Sequence, residues 1–361
     1  MELMARTAAM LDDRSRTTWC PHITWGRLVV ALLVATTLAT ACGGRGDRDR
    51  DRGASSTTTA STTTASTTTT VATDEQIAPE PSSGCGTPPA VAAVAEFPND
   101  AEQHIRLTDG TERSYRLGIP PTYDPATPAP LVLNLHGSGS NAIEQTVYSQ
   151  MAAKAGDRGM ITVTPDAVDG EWQLTAAGSD DELLTTLVER IAGAYCVDEN
   201  RVHIAGMSLG AWKAAVTACA HPDRFASIAL VTVEVHPPAC GPMPVVAFHG
   251  TADRTVPYGE GADPGITVSG PNAALPGARD NIVRWAGSAG CEPDPVEAQI
   301  GADVLHWRFE GCDPGVGVEL YTVQGGGHTW PGSPITIGAT TDTVDATALA
   351  LDWFESHPLR S

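Results

Sequence analysis

Arg201-Val202-His203-Ile204-Ala205-Gly206-Met207-Ser208-Leu209-Gly210 decides the reading of this 361-residue chain. Arg201–Ile204 reads as a short buried strand, and Ala211-Trp212-Lys213-Ala214-Ala215-Val216, which follows, reads as a helix. A G-x-S-x-G pattern between a strand and a helix is the signature of a sharp turn that lifts a serine hydroxyl above a sheet edge. The glycines at 206 and 210 answer a steric need, because so tight a turn leaves no room for side chains two residues either side of Ser208. With 36 glycines in the chain the pattern alone is weak evidence. Its weight comes from what lies around it.

Strand-like and helix-like segments alternate along the chain after about residue 100. His104–Leu107 and Glu112–Ile119 flank Asp109-Gly110 and predict an antiparallel hairpin. Buried strands are expected at Leu131–Leu135, Met160–Thr164, Ala226–Val233, Pro244–Phe248 and Val318–Val323, with a strand pair at Val296–Ile300 and Val304–Phe309. Helices are expected around Ala142–Ala155, near Arg279–Ala289 and at Asp345–Glu355, and one opening on a Ser179-Asp180-Asp181-Glu182 capping box. The order predicts an α/β fold with a mostly parallel central sheet, helices on both faces and an antiparallel N-terminal hairpin.

Three further motifs sit at expected strand ends. Leu135-His136-Gly137-Ser138-Gly139-Ser140 is a turn able to offer a backbone N–H, at Ser138, to a tetrahedral oxyanion; Leu209 would offer the second. Phe248-His249-Gly250-Thr251-Ala252-Asp253 places a carboxylate after a strand. Gly325-Gly326-Gly327-His328-Thr329-Trp330-Pro331-Gly332 places an imidazole on a glycine-rich loop. The order Ser208, Asp253, His328 suits acyl transfer with serine as nucleophile, histidine as base and aspartate as its orienting acid. Trp330, beside the base, is a candidate for the substrate pocket, with core packing as the alternative; Trp172 and Trp212 invite the same question.

The chain resembles the secreted polyhydroxybutyrate depolymerase-like and feruloyl esterase group of α/β-hydrolases over roughly residues 100–357. The resemblance rests on His136-Gly137, Cys196-Val197-Asp198-x-x-Arg201-Val202 leading into Gly206-x-Ser208-x-Gly210, His249-Gly250-Thr251-Ala252-Asp253 and Gly326-Gly327-His328-Thr329-Trp330-Pro331-Gly332. It implies Ser208 as nucleophile, Asp253 as acid and His328 as base, an acyl-enzyme intermediate, and no metal or organic cofactor. A small or polymeric ester is the expected substrate. Five phenylalanines and six tyrosines leave little for a broad aromatic platform, and no second binding module is evident, so short-chain acyl or aryl esters are expected ahead of crystalline polyhydroxybutyrate. A feruloyl or acetylxylan esterase, a serine peptidase and a non-catalytic wall-binding lipoprotein are the alternatives.

Residues 1–42 combine arginines, an apolar run from Leu28 and small residues before Cys42, and read as an export signal with a lipobox-like cysteine. Lipidated Cys42 would tether the protein to the outer face of a membrane; plain secretion is the alternative. Residues 43–83 are a Ser/Thr-rich linker too poor in apolar residues to fold. Residues 84–361 form the catalytic domain. The net charge of −21 argues against a nucleic-acid partner. Six cysteines in this domain of an exported protein suggest disulfides rather than a metal site. Cys291 and Cys312 flank the expected strand pair and are matched first; Cys219 with Cys240 and Cys85 with Cys196 complete one of fifteen connectivities.

Overall fold

The computed structural model describes residues 77–360, so the expected export signal, Cys42 and most of the linker lie outside the described residues. The linker's last residues are described, and pairing with the domain begins ahead of the expected boundary at 84. Glu80 N–H donates to Asp198 Oδ1 (2.9 Å), and Ser82 N–H donates to the Val197 carbonyl (2.9 Å).

Ten strands make one sheet: β1 (Ala101–Arg106), β2 (Glu112–Gly118), β3 (Ala129–Leu135), β4 (Ile161–Pro165), β5 (Val197–Met207), β6 (Ser227–Val231), β7 (Val245–Gly250), β8 (Val296–Ile300), β9 (Val304–Arg308) and β10 (Val318–Val323). Their spatial order is β1-β2-β4-β3-β5-β6-β7-β10-β9-β8. The six central strands from β4 to β10 run parallel. Antiparallel hairpins close both edges, β1–β2 at one and β8–β9 at the other. Asp109-Gly110 does turn the first hairpin: Gly110 takes φ +86, and Asp109 Oδ1 accepts from Thr111 N–H (2.7 Å).

Helices cover both faces because β3 is buried on both, with Asn134 on the second face satisfied by Gln145 and Ser149 of the first helix after it. Leu131, Leu133 and Leu135 point into one core, shared with α3 (Ser179–Ala194), α4 (Leu209–Ala220) and α5 (Ala278–Ser288). Val132 points into the other, shared with α2 (Met151–Asp157) and α6 (Ala346–Ser356). The three leucines are wholly buried, each contributing roughly 1.5–3 kcal/mol. Such burial on both sides is what a continuous apolar run in a parallel strand encodes.

Two local expectations fail for physical reasons. The helix expected at 142–155 is two helices, α1 (Ala142–Ser149) and α2, broken where Gln150 adopts φ 55. The capping box does not form. Gly178 is the N-cap of α3 and makes no side-chain bond, and Ser179 is its first helical residue. Glu182, the carboxylate of the box, instead accepts from Thr108 N–H (2.7 Å), so a long-range hydrogen bond displaces the local cap.

Three disulfides tie the periphery: Cys85–Cys196, Cys219–Cys240 and Cys291–Cys312. The last closes the base of the β8–β9 hairpin, where Glu292 N–H also donates to the Glu310 carbonyl (2.8 Å).

The chain passes from β3 to β4 on one side and to β5 on the other, so the direction of winding switches between β3 and β5. In open parallel sheets the crevice at the carboxyl ends of such strands is where ligands bind. The loops after β3, β5, β7 and β10 all emerge at that edge.

Candidate active site

Ser208 occupies the turn between β5 and α4 with φ 56 and ψ −121, a conformation that costs a non-glycine residue on the order of 1–3 kcal/mol. Ser208 N–H donates to the Val231 carbonyl (2.9 Å), and the Ser208 carbonyl accepts from Trp212 N–H (3.1 Å). The flanking glycines have direct steric causes. A Cβ on Gly206 would stand 2.4 Å from the Gly210 carbonyl, and one on Gly210 would stand 2.3 Å from the His136 carbonyl oxygen. The helix is thus pressed against the end of β3, and the hydroxyl is left exposed to the crevice.

The turn after β3 closes over this serine: a Cβ on Gly137 would lie 3.3 Å from Ser208 Cβ. His136 is buried and holds the turn. Its Nε2 accepts from Ala167 N–H (3.0 Å), which leaves Nδ1–H to donate to the Gly137 carbonyl (2.8 Å). Burial lowers the His136 pKa, in keeping with this neutral form. Trp172 donates from Nε1 to the His136 carbonyl (2.9 Å), so it braces the turn and does not line the pocket. Ser138 Oγ donates to Glu171 Oε1, a carboxylate the sequence reading missed. Among the described residues neither Ser138 N–H nor Leu209 N–H donates to a protein acceptor, so two backbone donors stand free beside Ser208.

The loops after β7 and β10 are fitted to each other. A Cβ on Gly250 would lie 2.1 Å from the Gly326 carbonyl oxygen. Ala252 N–H donates to that same oxygen (2.8 Å), and Thr251 N–H to the Val323 carbonyl (2.9 Å). This brings Asp253 to His328, whose Nδ1–H donates to Asp253 Oδ2 at 2.7 Å. Asp253 Oδ1 accepts from Thr255 N–H (2.7 Å) and Val256 N–H (2.9 Å). The carboxylate is completely buried. Burial works to raise its pKa, but the close contacts and charge of His249 and His328 hold it well below the usual carboxylate range. His328 and Ser208 line one cavity of about 460 Å³. Among the described residues no hydrogen bond joins the two, a common condition before substrate binds.

The cavity wall is apolar: Ile143, Val147 and Tyr148 of α1, Met207 of β5, and Ile335 and Ile337 from the loop after His328. Trp330 is not part of it. The indole is 1% exposed in the core beneath α6, with Nε1–H donating to Thr347 Oγ1 (3.0 Å). Gly332, at φ +75, turns the chain, and Ala346 N–H donates back to the Pro331 carbonyl (3.0 Å), which directs Trp330 inward. Trp212 is half-buried against the core on the other face. No group of three or more His, Cys, Asp or Glu side chains among the described residues is arranged to hold a metal.

The chain is 30% identical over 318 residues to "Putative esterase NocK" of Nocardia uniformis subsp. tsuyamanensis, a match that spans 77% of this chain and 92% of that protein. The Esterase family model, described as "Putative esterase", matches residues 108–264. The chain belongs to this esterase family. It is 30% identical over 215 residues to Feruloyl esterase B of Piromyces equi, spanning 55% of this chain and 39% of that protein. Among solved structures, the acetyl xylan esterase of Aspergillus awamori superposes with a TM-score of 0.50 at 14% identity, covering 71% of this chain and 99% of that one. That likeness is one of fold, and the fold is that of the α/β-hydrolases. The protein is a carboxylic-ester hydrolase.

Proposed function

We propose that this esterase works through Ser208, His328 and Asp253 on short-chain acyl or aryl esters, as an exported enzyme. The observation that carries the reading is Ser208, strained at φ 56 between two glycines that cannot be replaced without a clash, opening on the same cavity as an imidazole already oriented by a buried carboxylate. His328 takes the proton from Ser208 as its oxygen attacks the ester carbonyl. The free N–H groups of Leu209 and Ser138 receive the oxyanion, and the imidazolium returns the proton to the departing alkoxide. Water, activated by the same histidine, then releases the acid from the acyl-enzyme. No step calls on a metal or organic cofactor.

The wall supports this substrate class. An apolar cavity of about 460 Å³ suits an alkyl or aryl group of modest size, and Glu144 and Glu171 near its mouth disfavour anionic esters. The named relatives favour a second reading, a feruloyl or acetyl group on a polysaccharide, which keeps the same chemistry and changes the alcohol. Crystalline polyhydroxybutyrate is expected to be cleared weakly or not at all. Three disulfides support export to an oxidising compartment. The membrane tether through lipidated Cys42 remains part of the proposal, since that residue lies outside the described ones.

A fluorophosphonate probe tests the core of this reading. Wild-type protein is labelled at Ser208 and hydrolyses p-nitrophenyl acetate and butyrate. Ser208→Ala and His328→Ala each lose both properties with unchanged melting curves. Full activity in Ser208→Ala overturns the nucleophile assignment, and clearing of polymer films without hydrolysis of soluble esters overturns the substrate class.

A further inference from the structure

The polar chain that runs inward from His328 does not end at Asp253. His249, the penultimate residue of β7, places Nε2 3.3 Å from Asp253 Oδ2, with both side chains fully buried. That contact lies off the direction of a ring N–H bond, so it is a close charge contact and not an aligned hydrogen bond. On its other side, His249 Nδ1 meets both carboxylate oxygens of Glu234, at 2.9 and 3.0 Å. Glu234 is 1% exposed and follows β6, whose neighbour is β7; Trp285 Nε1–H donates to its backbone carbonyl (2.9 Å).

The geometry restricts the proton count. An ionised Glu234 can only accept, so Nδ1 beside it carries hydrogen. A neutral ring would then leave an unprotonated Nε2 beside an oxygen of Asp253 that already accepts from His328. Two buried lone pairs at 3.3 Å repel, whereas an Nε2–H turns the same contact into attraction. The other groups facing this ring do not supply a competing charge. The Tyr258 ring packs edge-on at 5.6 Å; its hydroxyl meets Thr322 Oγ1 (2.7 Å) and accepts from Arg279 Nε–H (3.2 Å), whose guanidinium lies over the Trp307 ring. Burial alone would lower the His249 pKa, but the charge and hydrogen bonds of Glu234, with those of Asp253, push it up to about 10.

We propose that His249 is a buried imidazolium, clamped by Glu234, that acts as a positioning residue for the triad carboxylate, keeping Asp253 ionised and its Oδ2 turned to His328. The inference rests on the triad reading above. Two buried carboxylates in adjacent loops repel unless a cation lies between them, and His249 is placed to be that cation.

Nitrogen-15 histidine labelling of the intact protein reads the charge directly. At pH 8 one of the ten histidines is expected to show both ring nitrogens protonated, with contacts to the Tyr258 ring that assign it to His249. A neutral His249 at pH 8 overturns the proposal, whether or not any variant folds. Kinetics on p-nitrophenyl butyrate read the consequence. Glu234→Gln keeps the shape and removes the counter-ion, so kcat acquires a new alkaline loss, about tenfold between pH 7 and 9 relative to wild type, as His249 gives up its proton within the assay range. His249→Gln lowers kcat by about 10- to 100-fold with KM within about twofold. Pairing the two changes restores any lost folding but not kcat. Wild-type pH profiles in Glu234→Gln, with Ser208→Ala inactive, refute the relay alone; an active Ser208→Ala refutes the triad beneath it.

Discussion

Asp253→Asn isolates what the buried carboxylate does. Asp253 Oδ1 accepts two backbone N–H groups and Oδ2 accepts one imidazole N–H. An asparagine must choose which end to place at each. If its oxygen stays with Thr255 and Val256, its amide N–H faces His328 Nδ1. The imidazole then accepts there, carries its proton on Nε2, and has no lone pair for the serine hydroxyl. If the amide flips, two buried backbone donors lose their acceptor, at about 1–3 kcal/mol each, so the first arrangement wins. A triad locked in the wrong tautomer loses about 10⁴ in kcat, about 5.4 kcal/mol of barrier. Because Asp253 is fully buried and lies outside the cavity wall, KM for p-nitrophenyl butyrate is expected to stay within about twofold. Steady-state assays at high enzyme concentration, with thermal melts to confirm folding, measure both. A folded Asp253→Asn enzyme with kcat within tenfold of wild type refutes the tautomer argument.

Gly210→Ala drives a Cβ to 2.3 Å from the His136 carbonyl, so it is expected to cost at least 2–3 kcal/mol, roughly the upper range for overpacking, and most activity; a chemical melt at wild-type midpoint refutes the close approach. Ile337→Asp alters a cavity residue that is 64% exposed, so KM for butyrate esters is expected to rise about tenfold while the melting temperature stays put. Replacing Cys291 and Cys312 by alanine opens a loop spanning 21 residues and is expected to cost about 3 kcal/mol in denaturant titrations. His249 supplies a pH signature of stability. Its folded pKa, about 10, lies above the ordinary 6.5, so its contribution is whole below about pH 6.5 and drains away as pH rises towards 10. The wild-type melting temperature is therefore expected to fall more steeply from pH 7 to 10 than that of the Glu234→Gln/His249→Gln double variant.

Sheet and site were legible in the sequence where the cause is local. The run Leu131–Leu135 reads as a strand buried on both faces, and the glycines at 206 and 210 announce a turn without room for side chains. Trp330 shows where local reasoning stops. It lies two residues from His328 in the chain, yet the turn at Gly332 sends it into the core, while Ile335 and Ile337, unremarkable in sequence, line the cavity. Ser179-Asp180-Asp181-Glu182 fails likewise: the pattern of a cap is present, but Thr108, 74 residues away, claims Glu182. Glu234 carried no signal at all. It belongs to no motif, and only the adjacency of β6 and β7 brings it to His249.

Charge balance within this buried group ties its parts together. With His249 protonated, Glu234 and Asp253 leave one net negative charge in the resting interior. When His328 takes the serine proton it becomes the second cation, and the group as a whole is neutral at the moment the oxyanion forms outside it. A dry interior penalises net charge more than paired charge, so the resting state bears the electrostatic cost and the proton transfer relieves it. Without His249 the same site would start from two buried negative charges, and Asp253 would take up a proton, leaving nothing to stabilise His328 as it charges.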